Sequence, residues 1–183
     1  MSVRRANVSD ARAIAEVHVA TSREIYAGLL PARMLDRCTV DLRADQWRDV
    51  IAQSNLGQDD AVFVADMGDA LVGFGYCSLQ RDPELRVKGF AGEFQAIYLM
   101  RSARRRGLGR SLMAEMARNL ARRNIRSAGC WVLAQNQAAR AFYDALGGTA
   151  VEEKAVELGE DAIRTEVAYG WSDVRVLTSD DLA

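Results

Sequence analysis

The sequence predicts an α/β fold in which a mixed β-sheet carries helices on both faces. Short apolar runs of strand length alternate with longer segments whose apolar residues recur every three or four positions. Two of the runs flank Met67-Gly68-Asp69, a turn sequence typical of a β-hairpin. The 183 residues suffice for one well-buried core but not for two ordinary domains.

The first half of the chain predicts two helices and four strands. Ser9 and Asp10 are good N-caps, and apolar residues follow them at helical spacing. A break is expected at 28–31, and Asp82-Pro83 indicates a loop. The expected elements are a strand at 3–6, a helix with an apolar face from Ala13 to Ile25, a helix at 40–51, and strands at 61–65, 70–76 and 92–100.

The second half predicts two further helices and a closing hairpin. We expect one domain over residues 1–171 and a polar C-terminal tail over 172–183, either frayed or part of an interface. The expected elements are a helix at 107–122, a strand at 128–133, a helix starting at Asn136, and strands at 149–158 and 163–171 around Gly159-Glu160-Asp161.

Composition excludes several classes of function. The net charge of −1 argues against a nucleic-acid partner, because binding to phosphate backbones needs a broad basic excess. No apolar run is long enough to cross a membrane. Cys38, Cys77 and Cys130 form no C-x-x-C pair, and the single histidine, His18, has the spacing of a partly buried helix residue. We therefore expect a cytoplasmic protein without a metal site.

The glycine-containing turn at 104–109 is the first motif with chemical content. It reads Arg-Arg-Arg-Gly-Leu-Gly and joins a predicted strand to a predicted helix. Glycines let a backbone approach a ligand closely, and the free N–H groups of a helix N-terminus attract phosphate. The spacing fits neither the Walker pattern nor the dinucleotide fingerprint, which needs glycine where Leu112 stands. Taken alone, the turn is either a phosphate cradle or a tight turn on a basic surface.

A second motif follows on the next predicted helix. Asn136, Ala139, Phe142, Tyr143 and Gly147 form the pattern Asn-x-x-Ala-x-x-Phe-Tyr-x-x-x-Gly. Together with the first motif, and in this order, it resembles the GNAT N-acetyltransferase superfamily over roughly residues 61–171. The resemblance implies a GNAT-like fold in which two central strands splay apart and acetyl-CoA enters the wedge between them.

The resemblance also implies which residues hold acetyl-CoA. The backbones of Tyr98 and Leu99 would bind pantetheine, and N–H groups from Arg104 to Arg110 would bind the pyrophosphate. Arg140 would reach either the cofactor or solvent. The cofactor-binding residues implied in this way are Tyr98, Leu99, Arg104, Arg105, Arg106, Gly107, Leu108, Gly109, Arg110, Asn136, Arg140 and Tyr143.

Acetylation of an amine needs a general base more than it needs a general acid. An alkylammonium with a pKa near ~10.4 must lose a proton at neutral pH, at a cost of roughly 4–5 kcal/mol, whereas a thiolate with a pKa near ~8.5 needs less help. The resemblance assigns the base to Glu93 and the acid to Tyr143. The alternatives are a glutamate at the rim of the sheet and a tyrosine at the edge of the core.

The acceptor is the least determined part of the prediction. The resemblance places it beside the first two helices, where Glu24 and Tyr26 could line the site. We expect a small-molecule primary amine, acetylated by direct attack in a ternary complex. The alternatives are a protein N-terminal or lysine acetyltransferase and a non-catalytic acyl-CoA-binding regulatory module. A homodimer is a possible assembly.

Overall fold

The computed structural model describes residues 1–29, 32–57, 60–157 and 163–178. It confirms the predicted α/β class. The strands are β1 (Ser2–Arg5), β2 (Ala61–Met67), β3 (Ala70–Leu79), β4 (Gly92–Leu99), β5 (Ala128–Leu133), β6 (Thr149–Glu157) and β7 (Ile163–Trp171). The α-helices are α1 (Ala11–Tyr26), α2 (Ala32–Asp36), α3 (Val40–Leu56), α4 (Pro83–Val87), α5 (Leu108–Arg122) and α6 (Gln137–Ala145).

The strands form one mixed sheet in the order β1-β2-β3-β4-β5-β7-β6. All neighbours are antiparallel except β4 and β5, which run parallel and lie at the centre. Within the described residues, β4 and β5 pair only at Gly92 with Ala128 and at Glu93 with Gly129. Past these two pairs the strands separate, as the splayed pair of the predicted fold requires.

Each face of the sheet has its own apolar core. Helices α1 and α3 cover β2 and β3 on one face, and α5 and α6 cover the other. The face of α1 and α3 is packed with Ala6, Ile14, Val17, Trp47, Ile51, Val62, Val64 and Phe74. The opposite face is packed with Phe63, Phe94, Leu112, Met113, Met116, Leu120, Tyr143, Tyr169 and Trp171.

Three short elements depart from the sequence prediction. Helix α2 occupies part of the segment after the predicted break, and α4 replaces the expected loop because Asp82 accepts hydrogen bonds from the N–H groups of Glu84 and Leu85. A 3₁₀ helix, Val174–Thr178, lies in the predicted polar tail. There, Val174 and Leu177 are buried in the core beside α5. This part of the tail is therefore not frayed, while residues 179–183 and the turn at 159–161 lie outside the described residues.

No helix in the described part of the chain has the length and apolar character needed to span a membrane.

Candidate active site

The backbone of β4 faces an open gap where β5 turns away. The Met100 N–H donates to the Val72 carbonyl of β3 at 2.8 Å. Because backbone groups alternate sides along a strand, Tyr98 also faces β3, and it pairs there with Phe74. Leu99 then faces the gap. The register directs the backbone of Tyr98 to β3, which corrects the prediction for this residue, and it turns the backbone of Leu99 toward the gap.

The turn before α5 presents a row of backbone donors. Arg105 and Gly107 both have left-handed φ angles, of 61° and 82°. The N–H of Arg104 donates to Arg101, but within the described residues no backbone acceptor lies against the N–H groups of Arg105, Arg106 or Gly107. The first N–H groups of α5 lack helical partners as well. Successive free N–H groups of this kind form an anion-binding concavity at the positive end of a helix.

The two glycines of the turn have different roles. Gly107 needs its positive φ, and a Cβ there would meet nothing within 4 Å. At Gly109 a Cβ would lie 3.2 Å from the ring of Phe142, because α6 packs against the start of α5 at this point. The second glycine therefore brings the two motif-bearing helices together across the gap.

Arg104 ties the turn to β4 and to α1. Its Nε donates to the Leu99 carbonyl at 3.1 Å, and its Nη1 contacts Glu24 Oε1 at 2.9 Å. Its Nη2 is buried without an acceptor in the described structure. Glu24, predicted at the acceptor site, forms an ion pair with this arginine of the turn.

The N-terminus of α6 lies on the other side of the gap. The Asn136 side chain caps the helix by accepting from the Ala139 N–H at 3.2 Å. Arg140 donates to the Ala134 carbonyl at 3.3 Å and to the Tyr169 hydroxyl at 3.5 Å. Arg140 is thus held against the protein rather than free in solvent.

Tyr143 is buried beside Cys130, the first residue of β5 past its pairing with β4. We call this point, where the two strands part, the apex of the gap. The Tyr143 ring packs against Tyr169 and Trp171, and its hydroxyl lies against the Cys130 thiol of β5. Burial, together with Cys130, raises the pKa of Tyr143 well above its usual value. Burial also raises the pKa of Cys130 to about 12. Both groups are therefore protonated at neutral pH.

Two further tyrosines approach the apex from the opposite face. The hydroxyls of Tyr26 and Tyr98 share a hydrogen bond 3.4 Å long, and both act electrostatically on Tyr143. Burial raises the pKa of Tyr26 and keeps it neutral. The structure thus brings together Tyr26, Tyr98 and Tyr143, which the sequence assigned to three separate roles.

Glu93 stands at the last residue of β4 that pairs with β5. Arg81 holds it with Nη2 at 2.9 Å from Oε1 and Nε at 3.0 Å from Oε2, and the Arg81 N–H also donates to Oε2. Its side chain is 13% exposed. Two residues on, Gln95 is left unpaired by a β-bulge and donates to Ser78. The carboxylate is therefore fixed in orientation beside the point where the strands part.

A charged cluster on β6 and β7 was missed by the sequence analysis. Lys154 contacts Asp82 at 2.8 Å and lies 3.8 Å above the ring centroid of Trp131. Glu166 lies opposite both Leu133 and Lys154. Period-two alternation in the closing hairpin could have placed these residues on one face, but only the strand register shows which strand they adjoin.

His18 is a partly buried residue of α1, as its spacing predicts. Its Nδ1 accepts from Trp47 Nε1 at 3.1 Å, and burial lowers its pKa to about 4. It is neutral at physiological pH. No cluster of three or more potential metal-binding side chains occurs among the residues that the structure describes.

The sequence matches a family model that includes both motifs of this site. The model describes the Acetyltransferase (GNAT) family and covers residues 30–147. The chain belongs to the GNAT acetyltransferase family. It is also 32% identical over 178 residues to the uncharacterized N-acetyltransferase YuaI of Bacillus subtilis strain 168, a match that covers 97% of this chain and 96% of that protein.

Solved structures show the same GNAT fold. The PaiA N-acetyltransferase from Thermoplasma acidophilum, in complex with coenzyme A, is similar with a TM-score of 0.74 and 16% identity over 93% of this chain and 98% of that one. YncA from Salmonella typhimurium, with its cofactor acetyl-CoA, is similar with a TM-score of 0.68 and 19% identity over 93% of this chain and 92% of that one. At these identities the likeness concerns the fold alone.

The Arg104–Glu24 contact predicts a remote effect on cofactor binding. Glu24→Gln removes the ion pair that orients Arg104, so we expect the Kd for acetyl-CoA to rise about fivefold, the range for a partly exposed pair. Isothermal titration calorimetry measures this change. Glu16→Gln on the exposed side of α1 is the control. An unchanged Kd together with a raised KM for the amine would place Glu24 at the acceptor instead.

Proposed function

We propose that this GNAT protein transfers the acetyl group of acetyl-CoA to a primary amine of a small molecule. The observation that supports the proposal most strongly is the parting of β4 and β5 beside a row of backbone N–H groups that have no backbone acceptor in the described structure. A gap between strands offers backbone partners to the amides of pantetheine, and the turn offers donors to the pyrophosphate.

The residues present fit acetyl-CoA. The gap-facing backbone of Leu99 would bind pantetheine, and the N–H groups from Arg105 to Arg110 would bind the pyrophosphate. Arg105, Arg106 and Arg110 add positive charge around that turn. Asn136 and Arg140 border the gap from α6. The buried, unaccepted Nη2 of Arg104 is a further donor at the rim.

Direct attack by the amine suits the groups around the apex. Cys130 is the thiol nearest Tyr143, and a pKa of about 12 keeps it from serving as a thiolate acyl carrier. The amine nitrogen forms the new bond to the acetyl carbon while the carbon–sulfur bond breaks. Glu93 receives the proton of the amine through water, and Tyr143 gives its proton to the departing thiolate.

The acceptor side of the gap is closed in a way that favours a small molecule over a protein. The hydroxyl of Tyr26, the last residue of α1, lies 3.4 Å from the Tyr98 hydroxyl of β4. Arg164 of β7 donates from Nε to the Leu29 carbonyl at 3.1 Å, so β7 is connected to the end of α1. A protein N-terminus or lysine would need an open groove at this place.

We further propose that the protein acts in the cytoplasm. Cys38, Cys77 and Cys130 are all free and buried, which suits a reducing compartment.

Glu93→Gln tests the proposed base. We expect kcat to fall by about 100-fold, with the largest loss at low pH, where the amine is hardest to deprotonate. A pH series of steady-state kinetics measures this effect, and Glu84→Gln on the exposed face of α4 is the control. A pH profile of unchanged shape in Glu93→Gln would assign the deprotonation to another group or to bulk water.

Tyr143→Phe tests the proposed acid. We expect kcat to fall by about 100-fold with acetyl-CoA and by much less with a thioester whose thiol is more acidic, because that thiolate leaves without a proton. The comparison requires kcat for both thioesters, measured with the native protein and with Tyr143→Phe. Equal losses for the two would contradict the assignment.

A further inference from the structure

Glu166 is a carboxylate on the acceptor side of the sheet with no direct partner. Through the strand pairing of Trp131 with Ala168 and of Leu133 with Glu166, it shares a face with Trp131 and Leu133. It is half-buried, and in the part of the chain that the structure describes no side chain or backbone group donates to it. Burying a carboxylate without a cation is costly, so such a group favours a charged ligand.

The nearest cation is directed elsewhere. Lys154 stands directly opposite Glu166 on β6, within easy reach of an ion pair. Its ammonium instead contacts Asp82 at 2.8 Å and the face of Trp131. Lys154 still lowers the pKa of Glu166, whereas burial, the larger influence, and Asp82 raise it.

Four charged side chains near Glu166 have partners of their own. Arg81 holds Glu93, and Lys154 holds Asp82. Arg164, two residues before Glu166, donates to the carbonyls of Leu29 and Ile163. Glu166 itself has no direct cationic contact within the described residues.

Glu166 lies some distance along the strand from the apex, and this distance limits which part of an acceptor it can contact. Cys130, beside Tyr143, pairs with Tyr169, whereas Glu166 pairs with Leu133 three residues further along. Three residues of strand span about 10 Å. Glu166 acts electrostatically on the Tyr26 hydroxyl, and that hydroxyl acts in turn on Tyr143. Glu166 is therefore too far along the strand to contact an amine reacting at the apex.

We propose that Glu166 binds a second positively charged group of the acceptor, distinct from the amine that is acetylated. The acceptor class is then a diamine or a larger amine with a distal cation. The buried Nε1 of Trp131, which meets no acceptor in the described structure, is a donor for a polar group between the two charges. This inference rests on the proposed acetyl transfer to small amines.

The test compares acceptors of equal length that differ in one charge. Diaminoalkanes from diaminobutane to diaminooctane are assayed beside the amino alcohols with the same number of carbons. We expect kcat/KM of the native protein to favour a diamine about tenfold, as one charge-assisted contact allows, mainly through KM. In Glu166→Gln this preference disappears.

A matched variant and a binding measurement separate failure of this inference from failure of the acetyltransferase proposal. Glu157→Gln removes one charge from the exposed side of β6 and retains the preference. An unchanged melting-temperature shift with acetyl-CoA shows that Glu166→Gln is folded. Equal use of diamine and amino alcohol by the native protein, or a preference that persists in Glu166→Gln, overturns the inference and leaves the acetyltransferase proposal standing. Acetyl-CoA binding without acetylation of any amine overturns both.

Discussion

The site depends on the separation of two parallel strands at the centre of the sheet. β4 and β5 pair at two positions and then part, so the backbone of Leu99 faces no neighbouring strand; its carbonyl accepts from the Arg104 side chain, and its N–H faces the gap. A strand interior with unpaired polar groups is unfavourable unless a ligand or water satisfies them. Tyr143 and Tyr26, which come from different helices, are close enough to interact electrostatically.

Two contacts hold the parts around the gap in register. Phe142 packs against Gly109, so the start of α5 and the helix carrying Tyr143 are positioned together. Arg104 joins the Leu99 carbonyl to Glu24, so the cradle is connected to the end of α1. The proposed cofactor and acceptor sides are therefore linked through short side-chain contacts as well as through the sheet.

The sequence predicts the local features of this arrangement well and the long-range ones poorly. Gly107 and Asn136 were predicted because a turn and an N-cap depend on neighbouring residues. The backbone direction of Tyr98 depends on its pairing with β3, and the ion pair of Glu24 joins residues 80 positions apart. Glu166 was overlooked for the same reason, since its place beside β5 exists only in the folded sheet. The burial of Leu177 likewise requires α5.

Amide hydrogen exchange by NMR, with and without acetyl-CoA, tests the central claim most directly. If the gap and the turn hold acetyl-CoA, the amides of Leu99, Arg105, Arg106 and Gly107 gain protection on binding. The amide of Tyr98, which faces β3, serves as the internal control and changes little. Protection of the turn and gap amides is the predicted result. Saturating acetyl-CoA that leaves these amides unprotected would contradict it.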